Sequence, residues 1–261
     1  MTTVMKYLSR LLPLALLFSA GAEAQFVRGP PPAPPNAHIG APMDVTGYWV
    51  AIVTEDWRYR MMTPDKGDAA GIALNPKGRA LAASWDPARD EAAGEQCKSY
   101  GAPAIMRIPT RLHIVWKDDD TLQLDTDAGR QTRLFHFRGA AAEGGAPSRQ
   151  GYSKASWEGM SRATVAWDAR RGEKPKQQGY LRVITTQLQP GYLRKNGIPY
   201  GASASVEEFI ESFTEPNGDT WLVVTSIVRD PEYLNDEYIT SSQFKKLAGP
   251  SGWRPSDCEA R

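Results

Sequence analysis

His113 and His136 are the side chains of this sequence best suited to general-base chemistry, because imidazole changes charge near neutral pH. Both fall in "RLHIVWKDDDTLQLDTDAGRQTRLFHF", Arg111 to Phe137, with Asp125 and Arg133 between them. Folded back on itself with Trp116 opposite Leu122 and Ile114 opposite Leu124, this stretch sets His113 opposite Asp125 and Arg111 opposite Asp127. A carboxylate in that place fixes the imidazole tautomer and raises its basicity. Arg133 or Arg194 would then stabilise developing negative charge. His113, Asp125 and Arg133 together would serve a hydrolase or lyase acting on a small carbohydrate or aromatic substrate. The structural alternative is a cross-strand polar pair on a solvated face. Two histidines with Asp125 lack the close spacing of a metal site, so neither a metal nor another cofactor is expected.

A second pattern suits binding. "EDWRYR" offers Trp57, Arg58, Tyr59 and Arg60, and "PGYLRKNGIPY" offers Tyr192, Arg194, Lys195 and Tyr200 in what reads as a glycine- and proline-punctuated loop. Flat aromatics beside guanidinium suit sugars, phenolics or carboxylate-bearing ligands, that is, a small ligand with a flat or ring-shaped part and an anionic or hydroxylated edge. The same residues could equally close the end of a fold through cation–π contacts. Other signatures are missing. "GASAS" at Gly201 ends on the wrong residue for a nucleophile elbow, and there is no phosphate loop, dinucleotide fingerprint or HExxH. Ser242 and Lys245 match S-x-x-K, but residues three apart on a strand point to opposite faces.

The elements that must position these groups are mostly strands. Leu112, Ile114 and Trp116 alternate with Arg111, His113 and Val115. Turns at Asp118 to Asp120 and at Ala128-Gly129 make Arg111 to Phe137 a three-stranded meander. "YSKASWEG", "GYLRVITTQL", "SASVEEFIESFTE", "DTWLVVTSIV" and "EYITSSQFKKL" continue the pattern, and Trp221 to Val228 is apolar on both faces. "VTGYWVAIVTEDWRYRMM" gives a first strand and room for a second. Asn75-Pro76 and Asp86-Pro87 are N-cap and first-turn pairs that start two short helices in the first third. Eight to ten strands with short turns read as a mainly β fold, an antiparallel up-and-down, lipocalin-like barrel or a closely related sandwich.

The ends and composition bound the setting. Lys6 and Arg10 precede an apolar run from Leu11 to Ala20, and Ala22-Glu23-Ala24 fits a small-x-small cleavage site. Residues 1–24 therefore read as a signal peptide, 25–43 as a proline-rich flexible tether that includes a solvated His38, and 44–261 as one β-rich domain. The expected compartment is the periplasm or the exterior, with no stable membrane insertion after cleavage, because the apolar run is too short to span a bilayer. A net charge of +1 speaks against a nucleic-acid partner, and 41% hydrophobic content with eight tryptophans supports a real core. The two cysteines, Cys97 and Cys258, are most simply a disulfide in an oxidising compartment, with free thiols or a metal site as the alternatives.

Cys97-x-x-x-Gly101-x-Pro103 with Arg107, then Trp157-Glu158-Gly159, "VITT", Asp230-Pro231-x-Tyr233 and a late cysteine form an ordered set. Over Cys97 to Cys258 this set resembles a large group of secreted bacterial proteins of unknown function. The chain departs from that group by inserting "MSRATVAWDARRGEKPKQQGY" after Gly159, and it lacks a histidine pair in the "LRKNGIPYGAS" loop. The resemblance implies export, a β-rich fold and a disulfide, and supplies no activity. The readings left open are an exported binding or carrier protein for a small amphiphilic or ring-containing ligand in a β-barrel, the hydrolase or lyase above, and a structural envelope component.

Overall fold

Alternation of inward apolar and outward polar residues builds a closed barrel. The computed structural model describes residues 34–138, 145–159 and 179–261. The described residues form eleven strands: β1 (Gly47–Ile52), β2 (Arg111–Asp118), β3 (Thr121–Thr126), β4 (Thr132–His136), β5 (Tyr152–Glu158), β6 (Tyr180–Thr186), β7 (Gly191–Arg194), β8 (Ile198–Tyr200), β9 (Ser205–Thr214), β10 (Thr220–Arg229) and β11 (Tyr238–Leu247). Nine of them close in the order β1-β11-β10-β9-β6-β5-β4-β3-β2, while β7 and β8 form a separate hairpin. Every barrel pair is antiparallel except β4 with β5, where Phe135 faces Ser153 in parallel register. The order follows the chain apart from the β7–β8 excursion, so the architecture is the lipocalin-like barrel, with no sandwich.

The meander has the register expected from its hydrophobic pattern, with Trp116 opposite Leu122, Ile114 opposite Leu124 and His113 opposite Asp125. A slip of one residue would turn Leu112, Ile114, Leu122 and Leu124 outward, and all four are buried. Trp116 is only partly buried, packing against the core from its margin. The outer face of β10 is also less covered than a strand buried on both sides requires: Leu222, Val224, Ser226 and Val228 point inward, and Trp221, Val223, Thr225 and Ile227 are half-buried.

Inside, Trp49, Leu112, Phe135, Leu181, Val183, Ile210 and Phe244 form the core with the meander leucines. One charged pair joins them. Arg133 of β4 donates to both carboxylate oxygens of Glu208 on β9, at 2.9 and 2.5 Å, and to Thr185 Oγ1 at 3.2 Å. Both side chains are fully enclosed. Ser153 completes the group through a 2.8 Å contact with Thr185.

Four short helices lie between β1 and β2. α2 (Pro76–Ala83) and α3 (Pro87–Ala92) start where Asn75-Pro76 and Asp86-Pro87 indicate, and both caps accept backbone N–H groups at the helix start. The segment expected to give a second strand after β1 instead winds into α1 (Trp57–Arg60), and α4 (Ala102–Ile105) precedes β2. The chain expected to be a loop from Pro190 to Tyr200 is the buried β7–β8 hairpin. Its turn needs Gly197, which has φ +79° and leaves no room for a Cβ against the Trp85 ring. Asn196, fully buried, donates to the carbonyls of Asp65 and Asp68, both at 2.9 Å, and ties down the loop after α1. A second core, with Leu74, Leu188, Leu193, Ile198, Tyr200 and Leu234, glues helices and hairpin together as a cap.

Residues 34–43, the end of the stretch read as a tether, lie against the barrel. Trp157 Nε1 donates to the Ala37 carbonyl at 2.9 Å, and His38, though exposed, stacks on Trp116 at 4.7 Å. The signal-peptide reading, residues 25–33 and most of the insertion after Gly159 fall outside the described residues.

Leu124→Ala should lower stability by about 2–5 kcal/mol in urea unfolding, the range for emptying a packed core site. A loss under about half a kcal/mol would place Leu124 on the surface. Arg133→Met should cost about 3–5 kcal/mol by stranding the Glu208 carboxylate, and the double variant with Glu208→Leu should recover most of that loss. Equal losses in the single and double variants would show that the pair is not what holds these strands.

Candidate functional site

The two aromatic–arginine segments meet. A cavity of about 430 Å³ opens at the barrel end where β1 leaves, β2 enters and β3 turns into β4. Such a volume falls within the range of small-molecule sites. Tyr59, Arg60, Met61 and Met62 line it from α1 and the residues after it, and Leu193 and Arg194 of β7 with Lys195 of the following turn line it from the hairpin. Tyr100 and Arg107 close a third side, and Ser256, Asp257, Glu259 and Arg261 a fourth.

Its charge is unbalanced at depth. The Arg60 side chain is fully enclosed; Nη1 pairs with Glu55 at 2.7 Å, Nε donates to the Arg107 carbonyl at 2.9 Å, and Nη2 has no partner. Burial holds this guanidinium below its ordinary range; Glu55 and Asp56 pull it back up, and the like charge of Arg107 presses it further down. Arg107 itself reaches Asp56 at 2.8 Å. Arg194, also buried, lies over the Tyr59 ring at 4.3 Å and leaves both Nε and Nη1 unpartnered. Lys195 sits over the Tyr100 ring at 5.1 Å, with Glu259 4.0 Å away. The carboxylates of Asp257 and Glu259 belong to exposed residues at the margin. A buried donor without an acceptor costs about 1–3 kcal/mol, and an oxyanion would satisfy several at once.

Four residues expected to bind stand elsewhere. Trp57 and Arg58 are exposed and do not line the cavity, because α1 turns only Tyr59 and Arg60 towards it. Tyr192 donates to Asp90 at 2.7 Å, and burial followed by that bond pushes its phenol upward. Tyr200 is fully buried in the cap, where its hydroxyl sits so close to Gly101 and Gly191 that neither position has room for a Cβ.

The histidine constellation does not assemble. His113 and Asp125 pair in register on the outer face, yet no hydrogen bond joins these two described residues. His113 stacks on Tyr48 at 4.1 Å. Asp125 accepts from Thr132 Oγ1 at 2.6 Å and Gln123 Nε2 at 2.8 Å. Arg133 points the opposite way, into the barrel, and is committed to Glu208. His136, stacked on Tyr152 at 5.1 Å, is held below its usual pKa by burial. No group of three or more His, Cys, Asp or Glu able to hold a metal occurs among the described residues. Ser242 is buried while Lys245 pairs outside with Asp219, so that motif makes no site either.

Cys97 and Cys258 are bridged across 161 residues, and no free cysteine remains among the described residues. The bridge brings residues 256–261 beside Tyr100, and they become a wall of the cavity. Ser256 N donates to the Asp127 carbonyl at 2.9 Å, and Glu259 N to Tyr100 Oη at 3.3 Å. Sequence reasoning missed Tyr100, Met61, Met62 and this terminal wall as cavity residues. The cysteine pair was the signal that could have found the wall, since a bridge forces its flanks together. No family model, curated protein or solved structure matches this chain.

Thiol titration of the unfolded, unreduced protein should find no free thiol. Cys258→Ser should cost about 2–5 kcal/mol, in line with loss of a bridge closing so long a loop. Two reactive thiols in the native protein would remove both the bridge and its wall.

Proposed function

We propose that this is an exported protein that binds a small ligand through an oxyanion edge, in the cavity at the barrel end. The observation that carries the reading is the pair of buried arginines, Arg60 and Arg194, which both belong to the lining of one cavity and both keep buried guanidinium N–H groups with no acceptor among the described residues. Arginine suits the role because its charge persists at any working pH and its fork matches carboxylate and phosphate. Export is supported by the basic-then-apolar N-terminus and by the bridge, which persists in an oxidising compartment. No helix among the described residues is long and apolar enough to cross a membrane. The barrel supplies rigidity: its interior is filled by side chains, so binding falls to the mouth, as it does on loops held by other rigid scaffolds.

A thermal-shift screen of the purified, bridged protein against carboxylates, phosphates and their neutral analogues tests this. Anionic ligands should raise the melting temperature by mass action, an effect of about 2.7 kcal/mol at a hundred times Kd. Arg194→Gln should abolish the shift while leaving the unliganded melting temperature unchanged or higher, because two of the lost donors had no partner. Neutral analogues acting equally well, or a variant that loses stability while keeping the shift, would sink the reading.

A further inference from the structure

Seven large apolar residues are exposed among the described residues, and three of them, Trp57, Met61 and Met62, fall within six consecutive positions. They are 61%, 59% and 60% exposed, so no core accounts for them. Both methionines line the cavity, and Ile108, Pro109 and Leu193 add apolar surface to it. The site therefore pairs a buried cationic floor with an apolar lip open to water. Aromatic stacking does not explain the lip, since Tyr59 has Arg194 and Arg58 over its ring, Tyr100 has Lys195, and Trp57 lies beyond the cavity. Methionine is unbranched and polarisable, which suits it to flexible hydrocarbon better than to a ring of fixed shape.

We propose that the ligand is a single-chain amphiphile, an oxyanion on a hydrocarbon tail. Its head meets Arg60 and Arg194, and its tail runs out along Met61 and Met62. This rests on the anion reading above and adds the chemistry of the rest of the ligand. The shared chemistry is an alkyl carboxylate or alkyl phosphate, whether it arrives as a free monomer or as the headgroup end of a membrane lipid.

The test is calorimetric titration of the bridged protein with acetate, octanoate, decanoate, decyl phosphate and decanol, each below its critical micelle concentration. Affinity should rise roughly two- to fourfold per added methylene while the tail still finds the lip, as partial to full burial of each group implies. Decanol should bind far more weakly than decanoate. Met61→Gln with Met62→Gln, both exposed and outside either core, should flatten the chain-length dependence and leave the weak binding of acetate unchanged. Arg194→Gln should weaken every anion. Co-sedimentation with vesicles of anionic against zwitterionic phospholipid separates the sources. Arg194-dependent binding to the anionic vesicles alone assigns a membrane lipid, and monomer binding without vesicle binding assigns a free amphiphile. If acetate binds and affinity does not grow with chain length, the amphiphile is overturned and the anion site stands. If decanol equals decanoate, the head assignment falls. If no anion of any length binds, both readings fail.

Discussion

The pairing of Arg133 with Glu208 inside the barrel governs what the rest of the structure can do. Both side chains are fully enclosed, and they tie β4 to β9 across the interior, with Thr185 of β6 at the same guanidinium. Two enclosed charges lose several kcal/mol of hydration each and recover it only in good geometry, so this contact tolerates little displacement of its strands. Around it, Trp49, Phe135 and Phe244 take up the remaining space. A barrel of about eight strands has room for side chains or for one small ligand, and here side chains occupy it. The cavity lies instead at the barrel end.

At one end the cap turns that constraint into a cavity. The β7–β8 hairpin carries Arg194 and Lys195, and Gly197 lets its turn close against Trp85. Asn196 holds the chain between α1 and α2, so the position of Tyr59 under Arg194 depends on a hairpin far along the sequence. The bridge between Cys97 and Cys258 adds the last wall. Three remote segments thus share one cavity, and each is fixed by a different force: apolar packing in the cap, hydrogen bonds from the Asn196 side-chain amide to backbone carbonyls, and a covalent bond.

Local patterns explain what could be read from the sequence. Alternation set the meander register residue by residue, because one slip would have exposed Leu112, Ile114, Leu122 and Leu124 together. Asn75-Pro76 and Asp86-Pro87 marked two helices because capping chemistry is local. The hairpin was missed because strands of four and three residues hold too little pattern to outweigh their glycines and proline. The histidine site failed for another reason. Register placed His113 and Asp125 opposite each other, but Thr132 and Gln123 are nearer competitors for the carboxylate, and side-chain competition is not written in strand pattern. Arg133 could not be assigned inward without Glu208, which lies 75 residues away. The two aromatic–arginine segments were singled out by residue type, and which half of each faces the cavity was decided by helix phase in α1 and by strand alternation in β7.

An unpartnered buried donor does not by itself mark a ligand site, and this protein shows why. Arg133 Nε is as orphaned as Arg60 Nη2 or Arg194 Nε. Arg133, however, has a carboxylate on its other two nitrogens and is buried among the core side chains of the barrel. Its orphan is a small residual cost within a satisfied pair. Arg194 has no carboxylate partner among the described residues, lies over the rings of Tyr59 and Tyr238 and lines an open cavity. Arg60 has Glu55, yet Arg107 repels it from the same site. Burying the Arg194 cation without a carboxylate partner is costly, and the Tyr59 and Tyr238 rings at 4.3 and 5.9 Å offset only part of that cost. What distinguishes the cavity is the coincidence of buried charge, an opening to solvent and an apolar lip.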